Sequence, residues 1–168
     1  MYEDVSAEEI ERRIGVSHES VVAVYDYWSR KAAGRPMPYR ADIDPAELKP
    51  FLPAMMLVDV VHDTRRFVYR LVGTHEVAGR GRDPTGLAVA EAFYAGSAEE
   101  ALAAYEYVAR ERQPFCYCEP YRTPDGWEER EDTIYLPLTR DGETVGVIMV
   151  YAYTYGFKAR GAASLVVR

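Results

Sequence analysis

Arg70, His75, Tyr105 and Arg130 are the side chains of this sequence with the most recognition chemistry to offer. Arg70 lies in a strand-like run with Val68 and Val72 on its face. An unpaired guanidinium is costly there, so it calls for a carboxylate such as Asp83 or an anionic ligand. His75 opens a short helix at the end of that run, either as a ligand contact or as a solvated helix-start residue. Tyr105 sits on a helical stripe, where its ring suits a core or a ligand and its hydroxyl needs a partner. Arg130 and Asp132 alternate with Ile134, Leu136 and Leu138, which puts a charged pair at the open end of an apolar strand face. Glu129, Glu131, Thr133 and Tyr135 fall on the more polar opposite face.

These residues do not assemble into a catalytic pattern. No Ser or Cys occupies a nucleophile-elbow sequence, there is no His-Glu-x-x-His, and the three histidines lack neighbouring acids that would mark a base. The run Gly79 to Gly86 has glycines but not the Lys-Ser/Thr of a phosphate-binding loop. Cys116 and Cys118 alternate along a strand-like segment, a spacing that argues against an easy disulfide. His18, His62 and His75 are scattered singly, so the two cysteines find no matching half of a metal site and read as free thiols.

Elements with clear punctuation must position these groups. Ser6-Ala-Glu-Glu9 is a capping-box pattern opening a helix to about Ile14, and Ser17 is placed to cap a second, amphipathic helix running to Gly34. The steps Arg35-Pro36 and Met37-Pro38 hold residues 35–42 extended as an ordered arm, and Asp44-Pro45 opens a short helix. Strands are expected at 54–62 and 66–73, with a turn between them. Thr74 caps a helical turn, 88–94 suits a short helix, and Ser97-Ala-Glu-Glu100 opens a longer one to Arg112. Three further strands, 115–123, 127–138 and 143–154, are joined by turns at Pro124-Asp-Gly126 and Arg140-Asp-Gly142. The fifth carries bulk on both faces, so the outer sheet face needs a cover, from the Ser17–Ala33 helix or a second subunit.

The 168 residues, 48% hydrophobic, suffice for one full core. With 20 basic against 27 acidic residues, the net charge of −7 argues against nucleic acid and anionic lipid as partners. The first twenty residues lack a signal-peptide pattern, and no apolar run is long enough for a membrane span, so a cytoplasmic protein is expected.

Tyr27-Trp28, Gly34-Arg-Pro-Met-Pro38 with Arg40 to Pro45, Leu52-Pro53, Tyr69-Arg-Leu-Val-Gly-Thr74, Gly81-Arg-Asp-Pro-Thr-Gly86 and Leu136-Pro-Leu138 follow one another in a specific order. Over about Tyr27 to Ala152 they give the chain a resemblance to a family of small bacterial PAS-domain proteins. It implies an α+β fold with a five-stranded antiparallel sheet, ordered 2-1-5-4-3, and helices on one face enclosing a ligand cavity. The expected division is a helical extension over 1–34, the domain over 35–154 and a tail over 155–168. The rival architecture, a cone-shaped α+β isomerase or dehydratase barrel, places its long helices before an unbroken run of strands.

The family's cofactor classes can be compared residue by residue. Haem-binding members ligate iron through a histidine on the long helix, and Ala98 to Arg112 contains none. Light-sensing members carry a cysteine on a helix before the long one, and Gly79 to Gly86 has none. The cofactor stays unknown, with non-covalent flavin or another small organic ligand open. The expectation is a homodimeric sensory module and not an enzyme. It binds a small ligand between the long helix and the sheet, through Tyr105, Ile134 and Leu136 with Arg70, His75 or Arg130, and signals to a separate protein. The alternative is a ligand-free dimerisation or interaction module.

Overall fold

The computed structural model describes residues 5–156, so all but the first two residues of the expected tail lie outside the described residues. Helix α1 (Ala7–Val16) starts at Ser6, whose Oγ accepts from the Glu9 N–H at 3.2 Å. Helix α2 (Glu19–Ala32) differs from expectation at its start. Ser17 is used up at the end of α1, donating its hydroxyl to the Arg13 carbonyl at 2.7 Å, and the cap falls to His18, whose Nδ1 accepts from the Ser20 N–H at 3.2 Å.

The arm after α2 is ordered as its prolines require. Arg35 bonds the Lys31 and Ala32 carbonyls at the end of α2 and reaches Asp42, while the Thr139 N–H bonds the Pro38 carbonyl at 3.0 Å. Asp44 caps a 3-10 turn over Pro45–Leu48 by accepting from the Ala46 N–H at 2.9 Å.

The sheet comprises β1 (Met55–Val60), β2 (Phe67–Val72), β3 (Phe115–Tyr117), β4 (Pro120–Arg122), β5 (Glu128–Thr139) and β6 (Val145–Thr154). Its main path is β2-β1-β6-β5-β3, antiparallel throughout, with β4 also pairing β5. This is the expected five-strand order with the third strand split in two, because the chain bends at Cys118-Glu119. Helices α3 (Thr74–Arg80) and α4 (Ala98–Glu111) fill the connection between the halves of the sheet. Gly73, not Thr74, is the cap residue of α3. A Cβ there would run into the Leu52 and Pro53 carbonyl oxygens, so only glycine lets α3 seat against the 52–54 turn.

The segment expected as a helix over 88–94 is extended at its start instead. The Tyr69 N–H bonds Leu87 O at 3.0 Å, and the N–H groups of Gly86 and Val89 bond Tyr69 O and Phe67 O at 2.7 and 2.9 Å. Satisfying the free edge of β2 outweighs the modest helical preference of an alanine-rich run.

Both sheet faces are covered. Residues paired across strands share a face, so Met56, Val150 and Tyr135 form one row, and Leu57, Met149 and Leu136 form a row on the other face. The first face meets α3 and α4. The second meets α2, whose Trp28 donates Nε1–H to the Pro137 carbonyl at 2.9 Å. Helix α1 lies against β3, with Ile10 and Ile14 buried. Helices α3 and α4 thus keep to one face, as expected, and of the two covers considered for the other it is α2, within the same chain, that supplies it.

Candidate functional site

A cavity of about 370 Å³ lies between α3, α4 and the inner face of the sheet. Strand alternation brings Met56 from β1, Tyr69 from β2, and Glu131, Thr133 and Tyr135 from β5 to its wall. Helix α4 contributes Tyr105 and Ala104, and α3 contributes Glu76 and Arg80. These last two are one helical turn apart, on one face.

Arg80 is the most constrained group of the site. Its side chain is only 8% exposed, and its guanidinium lies 5.1 Å from the Tyr69 ring centroid and 5.2 Å from that of Tyr94. Nη1 donates to the Tyr69 hydroxyl at 3.2 Å and the Ala92 carbonyl at 3.3 Å, and Nη2 meets Met56 Sδ at 3.3 Å. Nε forms an ion pair with the Glu76 carboxylate at 3.7 Å, too long for a hydrogen bond, and has no hydrogen-bond acceptor. A buried donor left in that state costs about 1–3 kcal/mol.

The acids have the opposite problem. Burial pushes the Glu76 carboxyl above its ordinary range, against the pull of Arg80. Glu131 is raised to about 7, first by burial and then by the charge of Glu76, although Thr133 and Thr154 donate to its oxygens at 2.9 and 3.3 Å. Tyr105 is buried, edge-on to Tyr135 at 5.2 Å and tilted against Phe67 at 5.5 Å, and burial holds its hydroxyl protonated. The wall therefore offers donors from Arg80 and the tyrosines, acceptors from two carboxyl groups, and aromatic surface. Such a set can orient a small polar molecule with an unsaturated or apolar body.

Of the four residues singled out from sequence, the structure places only Tyr105 in this wall. Arg70 points to the outer face, with its side chain 60% exposed, and pairs with Asp59 rather than Asp83. Burial works against the Asp59 charge, but hydrogen bonds from Arg70 and Arg140 outweigh it and lower the pKa. Asp83 is spent on its own loop, accepting from the Thr85 hydroxyl at 2.6 Å. His75 is exposed and lines a different cavity, of about 320 Å³, with Glu76 and Tyr153. Arg130 is exposed and stacks 4.7 Å from the Tyr155 ring centroid.

The inward assignment of Ile134 and Leu136 is also reversed. They share the outer face with Asp132, which accepts from the His18 N–H and the Tyr155 hydroxyl, each at 2.8 Å. Sequence reasoning missed Arg80, Glu76, Glu131 and Tyr69. Their signal was the Glu76/Arg80 spacing and the polar alternation Glu131, Thr133, Tyr135 in a strand covered on both sides. Among the described residues, no group of three or more His, Cys, Asp or Glu side chains is arranged to hold a metal ion.

Among solved structures, the chain is similar to a light-oxygen-voltage domain studied with a flavin analogue. That match has 10% identity and a TM-score of 0.51, covering 66% of this chain and 82% of the other. A light-oxygen-voltage protein of Rhodobacter sphaeroides matches with 11% identity and a TM-score of 0.49 over 71% of each chain. VqmA bound to DPO matches with 14% identity and a TM-score of 0.49, over 68% of this chain and 58% of the other. At such identities the likeness concerns the fold alone. No curated protein matches the sequence. The family model described as a PAS domain matches residues 16–151, which takes in α2, the arm, the sheet and the cavity-forming helices. The chain therefore belongs to the PAS-domain family.

Proposed function

We propose that this PAS domain is a sensory module, not an enzyme, that binds a small organic molecule in the cavity beside Arg80 and passes the response to a separate effector protein. The observation that carries the reading is the buried Arg80 Nε, without an acceptor, in the wall of a cavity of about 370 Å³. A ligand bearing a carbonyl or similar acceptor would satisfy it. A donor on the same ligand would meet Glu131 or Glu76, while its body lies against Tyr105 and Tyr135. Binding would act by shifting the sheet against α2, which contacts β5 and β6 from the other side. Two copies pairing through the N-terminal helices, in the cytoplasm, complete the reading. No helix among the described residues is long and apolar enough to cross a membrane.

The test is native mass spectrometry of freshly purified protein, followed by thermal-shift screening of small metabolites against wild type, Tyr105→Trp and Ala104→Leu. The reading expects a dimer mass and a stabilising compound whose effect is lost in both cavity-filling variants. A compound that stabilises all three equally places the site elsewhere. A monomer mass removes the pairing, and a screen without hits leaves a ligand-free interaction module as the better account.

A further inference from the structure

The two cysteines of the chain, away from the cavity's chemistry, form a constellation that the sensory reading does not use. The bend at Cys118-Glu119 ends β3, and it leaves the Cys116 and Cys118 sulfurs 3.4 Å apart, not splayed along a strand. Both are free thiols, Cys116 fully buried and Cys118 half-buried. The Ser17 hydroxyl lies 3.3 Å from the first and 3.1 Å from the second, and Cys118 Sγ also approaches the Arg13 carbonyl at 3.7 Å. Ser17 is the residue at which α1 ends and α2 is about to begin.

We propose that Cys116 and Cys118 are a reversible redox pair, oxidised by hydroperoxides to an intrachain disulfide beneath the junction of α1 and α2. Closing the bridge needs the sulfurs to approach from 3.4 Å to about 2.05 Å. The division of roles follows from their surroundings. Cys118 is the accessible member, and its contact with Cys116, with help from Ser17, lowers its pKa to about 7 despite partial burial. Cys116 is held as a thiol by the same contact and by burial.

The Cys118 thiolate attacks one peroxide oxygen, the O–O bond breaks, and the leaving oxygen departs with the electron pair and takes up a proton, giving a sulfenic acid. The Cys116 sulfur then attacks the Cys118 sulfur, the S–O bond breaks, and the departing hydroxide takes the Cys116 proton as water. Two thiols lose two electrons and two protons, and one hydrogen peroxide becomes two waters. Both S–H groups beside Ser17 disappear, so the change is registered at the start of α2.

The experiment treats the purified chain with hydrogen peroxide, removes the peroxide, blocks remaining thiols with N-ethylmaleimide in denaturant and weighs the intact protein. Because the chain has two cysteines, the expected product takes no label, is lighter by two hydrogens, stays monomeric in covalent mass, and takes two labels after reduction and denaturation. Cys116→Ser should stop at a sulfenic acid on Cys118, trapped by dimedone. Disulfide-linked dimers as the main product, two labels retained after peroxide, or direct passage to a sulfinic acid in the wild type would each overturn the assignment.

Discussion

Glu131 ends its side chain between the Thr133 and Thr154 hydroxyls, on the cavity face of β5, and its carboxyl is raised from 4.5 to about 7. The folded state therefore binds its proton more tightly than the unfolded chain does. This group favours folding below about pH 4.5, and the advantage fades as pH rises through 7. Glu131→Gln, which keeps the acceptor and loses the charge, should flatten the fall in stability between pH 5 and 8. At pH 8 the gain over wild type should be about 1–3 kcal/mol, read by urea unfolding at the two pH values. Parallel pH dependence in the two proteins would mean that Glu131 is ionised at ordinary cost. Tyr105 was legible in the sequence, since a tyrosine on the buried stripe of a capped helix has one direction to face. Arg80 was not, because its neighbours Gly79 and Gly81 read as loop and nothing local says that Tyr69 and Tyr94 will enclose it.

At the scale of elements, the caps at Ser6, Asp44 and Ser97 were legible, while those expected at Ser17 and Thr74 fell to His18 and Gly73. Ser6 and Ser97 each accept from the N–H three residues on, and Asp44 from the N–H two residues on. The direction of β5 was misjudged for a physical reason. Alternation separates two faces, but in a sheet buried on both sides the more apolar face turns to the drier cover. Here that cover is α2, with Val21, Val24 and Trp28 buried, and the polar face turns to the cavity. Asp132 is a polar exception on the dry side of β5, and it fastens the start of α2 through the His18 N–H. Asp132→Ala should cost about 1.5–3 kcal/mol of stability by denaturant unfolding and speed amide exchange at His18. An effect below about 0.5 kcal/mol would mean that the helix start is held by other contacts.

For the molecule as a whole, the N-terminal helices are part of the core. Ile10, Ile14, Val21, Val24 and Trp28 belong to the same buried cluster as Ile134, Leu136 and Met149. Removing residues 1–34 should therefore uncover the outer sheet face and produce aggregation or a larger particle in light scattering. A truncated protein that stays soluble at unchanged association state would show that another surface can close over that face.

The strand path and the family followed from the motif resemblance, while the sequence by itself determined the order and type of the main elements. Those depend on local periodicity, capping residues and turn residues, all written within a few positions of one another. Only the tertiary structure decided which sheet face meets the cavity, that Arg70 pairs with Asp59, that residues 86–89 pair with the edge of β2, and that two thiols meet at a bend. Each of these is a choice between partners distant in the chain. It is set by which surface can be dried, which backbone edge must be satisfied and which buried charge must be matched, and single-residue patterns carry none of that.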